Sequence, residues 1–327
     1  MIALTPLILP ESAQLPVFIV SLIIFYSFGA ISGCAFSSWI RDLIPENIIG
    51  SFLGSRLSVA TAIGAAITVA GAFSIDSLKI LMDSEVAPYS VIFALAGVIG
   101  LWGSLSLFKV EEPPMAPAEG EFDFFGLLFK PLRDENFRRL LYFSATWNFA
   151  IIMGGAFFAV YMLKRVGISL TWVILLAVVS QLTNIYFFRL WGGLSDRFSN
   201  KSVLKVVSPL FLLAMALYPF TTLPEAYWLS LPLLVLIHIV GGISTAGFTL
   251  CANNIALKLA PRGEATSYLA ANAFFSGLGA TFGPLVGGLI GGYFEFKRLS
   301  LELFWHSDIR IGGHSWDVPT FDLQGLD

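Results

Sequence analysis

The sequence predicts an all-α polytopic membrane protein with about eight transmembrane helices. Of its 327 residues, 56% are hydrophobic and only 13% are charged, whereas soluble domains carry about 25% charged residues. The charged residues are also unevenly spread, because eight stretches of at least 19 residues contain no Asp, Glu, Lys or Arg. A helix needs roughly 20 apolar residues to cross a bilayer, so each stretch is a candidate transmembrane helix. The soluble alternative requires eight fully buried helices in one small domain, which is implausible.

The eight stretches follow one another along the chain, separated by short polar segments. They are residues 12–40, 57–75, 86–108, 140–163, 166–188, 206–224, 226–257 and 265–294. Cys34 and Cys251 fall inside the first and the seventh stretch. We therefore expect them to pack as small apolar side chains and not to form a disulfide.

The basic residues favour one orientation in the membrane. If the first stretch ends in the cytoplasm at Arg41, thirteen of the 19 Lys and Arg residues lie in cytoplasmic segments, the excess that the positive-inside rule describes. We therefore expect an integral protein of the cell (inner) membrane whose longest loop, residues 110–137, is cytoplasmic. This loop begins with a Pro- and Glu-rich segment, and residues 123–139 predict a short helix at the membrane surface.

Loop 110–137 divides the chain into two parts that resemble one another. GAISGCAF (residues 29–36) aligns with GGISTAGF (residues 241–248), and the segment that begins at Pro45 aligns with the one that begins at Pro261. Internal duplication of this kind is typical of secondary transporters. The predicted organisation is a first helix bundle in residues 1–109, a linker in 110–137, a second bundle in 138–293 and a polar, non-cytoplasmic segment in 294–327.

Charge interrupts the apolar pattern at WGGLSDRFSNKSVL, residues 191–204. This run resembles the cytoplasmic loop signature of the major facilitator superfamily, and the matching residues are Gly192, Leu194, Asp196, Arg197, Lys201 and Leu204. Ser199 and Asn200 depart from the signature, which usually has a glycine and a basic residue there. The resemblance implies a fold of twelve helices in two six-helix bundles. The eight stretches then correspond to helices four to eleven, so we expect the chain to be truncated at both ends.

The resemblance also implies a role for this charged loop. Asp196 is expected to accept hydrogen bonds from the N-terminus of the helix that starts near residues 50–56, where free N–H groups and the helix dipole favour an anion. We predict a conformational latch that ties the two halves together in one state and releases them in the other. Its residues are Gly192, Asp196, Arg197 and Lys201. The alternative is that these charges only mark a solvated, positive-inside loop.

Five polar residues are candidates for a substrate or proton site. In this superfamily the first, fourth, seventh and tenth helices line the cavity, and near the membrane midplane the matching stretches hold Ser27, Ser32, Trp147, Asn148 and His238. His238 is the only ionisable residue in the eight stretches apart from Tyr and Cys, so it is a candidate for proton coupling. The alternative for His238 is a neutral, hydrogen-bonded imidazole. Trp147 and Asn148 suit a sugar or aromatic ligand, or else they pack between helices.

Other polar and small residues predict helix packing. We expect Gln181, Asn184, Asn253 and Asn254 to form interhelical hydrogen bonds. A smooth helix face for close packing is predicted by four evenly spaced glycines, with a bend at Pro284: Gly279, Gly283, Gly287 and Gly291. A similar element occurs in the fifth helix of drug antiporters of the superfamily. Here Thr68 replaces the proline in that helix, which argues against a drug antiporter.

These features predict a secondary active transporter, here as a partial chain, that moves a small solute across the lipid bilayer by alternating access, with or without a coupling proton or other ion. The alternative is a non-transporting protein of the same fold that binds a pigment, a lipid or a protein partner. The sequence has no Gly-x-x-x-x-Gly-Lys-Ser/Thr nucleotide-binding loop, and His238 has no acidic or histidine partner in any stretch. We therefore expect neither an ATP-driven pump nor an enzyme, and no metal site, cofactor or nucleic-acid partner.

Overall fold

The computed structural model describes residues 10–84, 86–110, 124–222, 226–261 and 264–309, which form a helical bundle. Within these residues, eight helices are long and apolar enough to cross a membrane. In chain order the helices are α1 (Glu11–Leu43), α2 (Ile49–Met82), α3 (Ala87–Leu107), the short α4 (Phe124–Phe129), α5 (Glu135–Tyr161), α6 (Leu170–Arg197), α7 (Asn200–Leu217), α8 (Ser230–Leu259) and α9 (Ala265–Ile309). The prediction of an all-α polytopic membrane protein is therefore confirmed.

Each long helix overlaps one predicted stretch, and α1, α2 and α9 contain theirs entirely. Helix α2 begins at Ile49, before Arg56, because water and lipid headgroups reach charged side chains in the terminal turns of a membrane helix. Helix α9 continues to Ile309, into the segment predicted to be polar. Residues 111–123 of the linker and residues 310–327 of that polar segment lie outside the described residues.

Two polar caps fix the helix starts that matter for the site. The Asp134 side chain accepts from the backbone N–H groups of Asn136 and Phe137, and so caps α5. Ser199 caps α7 in the same way by accepting from the N–H of Ser202 at 3.1 Å. The serine that departs from the family signature therefore has a local role, because it defines where α7 begins.

Helices α1–α3, the predicted first bundle, contact α5–α9, the predicted second bundle, mainly at one end. Helix α2 packs on α6, and α1 packs on α8 and α9. The largest apolar core joins Ile40, Ile49 and Leu53 of the first bundle to Phe137 and Leu250 of the second. From Ser58 to its C-terminal end, α2 is largely exposed. The two bundles are thus closed against each other where α1 ends and α2 begins, the end predicted to be cytoplasmic.

Candidate functional site

Asp196 lies near the C-terminal end of α6 and faces the N-terminus of α2. Its Oδ1 accepts from the backbone N–H of Gly50 at 2.8 Å. Its Oδ2 accepts from the backbone N–H of Ser51 at 2.6 Å and from the Ser51 hydroxyl at 2.7 Å. The side chain of Ile48, at the N-cap of α2, makes no capping bond, so the carboxylate satisfies N–H groups that the helix itself leaves free. From here on, the latch means these three residues, Asp196, Gly50 and Ser51, and not the four residues predicted from the sequence.

Small residues let α2 and α6 come close enough for this contact. A Cβ atom on Gly192 would lie 2.5 Å from the carbonyl oxygen of Gly50, and one on Gly54 would meet the carbonyl oxygen of Phe188. Farther along, the Ser58 hydroxyl donates to the carbonyl oxygen of Ile185 at 2.7 Å. Gly50, Gly54 and Ser58 recur every four residues, a spacing that typically marks a helix face for close packing. This spacing is visible in the sequence, so the packing face of α2 was predictable.

Arg197 and Lys201, predicted as part of the latch, do not reach α2. Both side chains are exposed, and the Arg197 guanidinium lies 5.4 Å from the ring of Phe198. Each residue turns a helix by 100°, so the neighbour of Asp196 points elsewhere. Lys201 lies in the first turn of α7, beyond the crossing. The structure therefore brings only Gly192 and Asp196 of the four predicted residues to α2.

Arg41 forms a second link between the bundles at the same end. The side chain is only 5% exposed, and its Nε donates to the carbonyl oxygen of Leu257 in the last turn of α8 at 2.7 Å. Its Nη2 lies 3.0 Å from the carboxylate of Glu46. A cation at a helix C-terminus satisfies a free carbonyl and opposes the negative end of the dipole. Sequence reasoning used Arg41 only as the end of a stretch.

Two cavities that share a polar wall lie between the bundles and within the second bundle. The larger has a volume of about 480 Å³ and is lined by residues of α1, α2, α5, α8 and α9. The smaller, of about 310 Å³, lies between α5, α8 and α9. Four residues line both cavities: Asn148, Asn253, Asn272 and Ser276. These four residues are called the amide wall below.

The family model described as Major Facilitator Superfamily matches residues 1–284. The chain belongs to the major facilitator superfamily. Members of this superfamily are integral membrane transporters of small solutes and are not generally enzymes. The comparison with curated proteins gives no match.

In this superfamily member, Trp147 and Asn148 both line the smaller cavity. The Trp147 ring stacks on Phe248 with the ring centroids 4.0 Å apart, and its buried Nε1 has no hydrogen-bond partner within the described part of the chain. The Asn148 Nδ2 donates to the carbonyl oxygen of Ser144 at 2.8 Å, and its Oδ1 is an acceptor. Asn272, which was not predicted from the sequence, has a buried Oδ1 that meets no hydrogen-bond donor in the described ranges.

The serines chosen in α1 lie elsewhere. Ser32 is exposed and lines a separate cavity with Trp39 of α1 and Phe108, which follows α3. Ser27 is exposed and lies outside both cavities that contain the amide wall. Depth in the membrane does not fix rotation about a helix axis, and α1 instead turns Cys34 and Ser37 toward the larger cavity.

His238 lies on the cavity face of α8 but beyond the two cavities. It precedes Thr245 by two helical turns, about 10 Å along the axis, and Thr245 lines the smaller cavity. Its Nδ1 lies 2.8 Å from the carbonyl oxygen of Leu234. Because a carbonyl only accepts, Nδ1 carries a hydrogen and Nε2 is the nitrogen free to take up a proton.

Of the predicted interhelical amides, two behave as expected. Asn184 accepts from the hydroxyl of Thr245 at 3.1 Å, and the buried Asn254 donates to Asn200 at 2.9 Å. This second bond explains why an asparagine replaces the basic residue usual at position 200, since Asn200 is itself buried. Asn253 instead belongs to the amide wall.

The predicted glycine face of α9 packs on α5. A Cβ on Gly283 would lie 2.6 Å from the carbonyl oxygen of Phe149, and one on Gly287 would lie 2.9 Å from that of Met153. Gly279 and Gly291 face the same helix, while Pro284 is half-buried within α9. This glycine face therefore packs two helices of the second bundle together. It is a different contact from the latch, which joins α2 to α6.

Proposed function

We propose that this chain acts as a secondary active transporter in the cell (inner) membrane, with loop 110–137 in the cytoplasm. It moves a small solute by alternating access between the latched arrangement and one in which the bundles part at the latch end. The observation that carries the proposal is the position of the contacts. The bundles meet at one end, through the latch and Arg41, and a polar cavity lies between them.

The latch is suited to reversible opening. Its hydrogen bonds join partly exposed groups, and water can replace each of them when the bundles separate. A net contribution of about 1.5–3 kcal/mol for a hydrogen bond to a charged group is within reach of the binding free energy of a small solute. Solute binding can therefore change the balance between the two arrangements, which transport requires.

The cavity residues take two proposed roles. Trp147 and Asn148 contact the solute, because they line the cavity and offer an aromatic face and an amide. His238 is the proposed site for a coupling proton, because it lies on the same face of α8 and Nε2 is free to be protonated. The predicted substrate and proton sites are thus proposed to lie on α5 and α8.

Cys34 provides a test that needs no knowledge of the solute. It lines the larger cavity, whereas Cys251 is fully buried. In a Cys251→Ser variant, a membrane-impermeant thiol reagent added to right-side-out and then to inside-out vesicles should modify Cys34 from both sides. A matched Cys34→Ser variant should show no labelling. Labelling from one side only, under all conditions, would show a protein that does not alternate and would favour the non-transporting alternative.

A further inference from the structure

Building on this proposed function, we infer that the transported solute is uncharged and is held by the amide wall. Each carboxamide of the wall offers a donor and an acceptor and carries no charge. Among the residues that line the smaller cavity, all of them described, none is Asp, Glu, Lys, Arg or His. A charged solute that leaves water for such a site lacks a counter-charge, which makes its transfer costly.

The wall also has hydrogen-bonding capacity that the protein does not use. The buried Oδ1 of Asn272 and Nε1 of Trp147 have no partner among the described residues. Buried polar groups are usually paired in folded proteins, so unpaired ones at a cavity indicate a ligand that completes them. One is an acceptor and the other a donor, which matches a solute bearing hydroxyl or amide groups.

The size and shape of the smaller cavity restrict the class of solute further. A cavity of about 310 Å³ lies at the lower end of the range for small-molecule sites. Trp147 and the stacked Phe248 add a flat apolar surface beside the amides. The class that fits is a small, uncharged solute with several hydroxyl or amide groups and one apolar face.

Arg56 is the residue that would favour the competing class of solute, an anion. It lines the larger cavity near the latch, and its guanidinium lies 4.7 Å from the centroid of the Phe36 ring. An anionic solute would be expected to bind toward this residue. Arg56 does not line the smaller cavity, whereas Trp147 and Asn272, which carry the unpaired groups, both line it, and this favours the uncharged class.

Solute protection of Cys34 distinguishes the classes. The Cys251→Ser protein in lipid nanodiscs is treated with N-ethylmaleimide in the presence of one of three mixtures. The first contains hexoses, polyols, nucleosides and small carboxamides; the second, carboxylates and phosphate esters; the third, primary and quaternary amines. We expect saturable slowing of Cys34 alkylation by the first mixture alone. Protection by either charged mixture, or by none of the three, would overturn the inference.

Variants place the protecting solute at the amide wall. Asn148→Leu and Asn272→Leu should each raise the concentration needed for half-protection about tenfold. Asn136→Leu is the matched control, because Asn136 is exposed in the first turn of α5, away from both cavities. The alkylation rate without solute should remain that of the parent, which shows that each variant is folded. If both wall variants keep the half-protecting concentration of the parent, the solute binds elsewhere.

The outcome is separable from that of the transport proposal, because protection is measured without two compartments. Protection by uncharged solutes in a protein labelled from one side only would keep the binding inference and reject transport. Protection by anions in a protein labelled from both sides would reject the binding inference and keep transport.

Discussion

Replacing Asp196 with asparagine removes the charge of the latch and keeps its shape. The asparagine Oδ1 can still accept from the N–H of Gly50, and the Ser51 hydroxyl can turn to accept from Nδ2. The N–H of Ser51, now 2.6 Å from the carboxylate, would face the donor Nδ2 and lose its bond. One charge-assisted bond is worth about 1.5–3 kcal/mol, and the charge at the helix N-terminus adds about 0.3–1 kcal/mol.

Because the latch is partly exposed, water and salt reduce these values. We therefore expect Asp196→Asn to disfavour the latched arrangement by about 2 kcal/mol, or about 30-fold in the ratio of latched to open molecules. The assay is the labelling of Cys34 from each side of the membrane, in the Cys251→Ser background. The rate from the latch side should rise, and the rate from the opposite side should fall.

Two further variants test whether the change in the ratio of latched to open molecules follows the number of latch hydrogen bonds removed. Ser51→Ala removes only the hydroxyl of the latch and should shift the ratio by about fivefold, as expected for one hydrogen bond. Glu135→Gln removes an exposed carboxylate that pairs with Arg139 within α5, so it should leave both rates unchanged. If Asp196→Asn behaves like Glu135→Gln while the protein stays folded in the membrane, the latch does not control access.

Three other predictions concern packing and proton coupling. Gly192→Ala places a Cβ 2.5 Å from a backbone carbonyl oxygen of α2 and should raise labelling of Cys34 from the latch side, whereas Gly193→Ala, with open space around its Cβ, should not. Gly283→Ala should destabilise the protein by about 1–3 kcal/mol through overpacking and lower its unfolding temperature, whereas Gly288→Ala, which meets nothing within 4 Å, should not. If His238 carries the coupling proton, His238→Gln should abolish the pH dependence of solute uptake; uptake that keeps the parent pH profile removes this role.

The sequence predicts the helices well because charge is excluded from the hydrocarbon core. Each uncharged stretch had to become a helix to satisfy its backbone groups in lipid. The helix ends were less predictable, because terminal turns tolerate charged residues such as Arg56. Asp196 was predicted from a family signature, while its partner face on α2 depended on Gly50 and Gly54, whose spacing is visible in the sequence and was not used.

The cavity was predicted only in part because depth and rotation are independent properties of a helical residue. Trp147 and Asn148 satisfied both conditions. Ser32 satisfied depth alone and lies against another cavity. Asn272 was missed because the family expectation directed attention to other helices than α9, and only the packing of α9 on α5 shows that its side chain lines the wall.

Arg41 and the latch hold the same end of the bundles through separate pairs of helices. The Arg41–Leu257 contact joins α1 to α8, while Asp196 joins α6 to α2. Opening must break both contacts, which is why loss of the latch alone is expected to shift the balance between the two arrangements and not to hold the protein open.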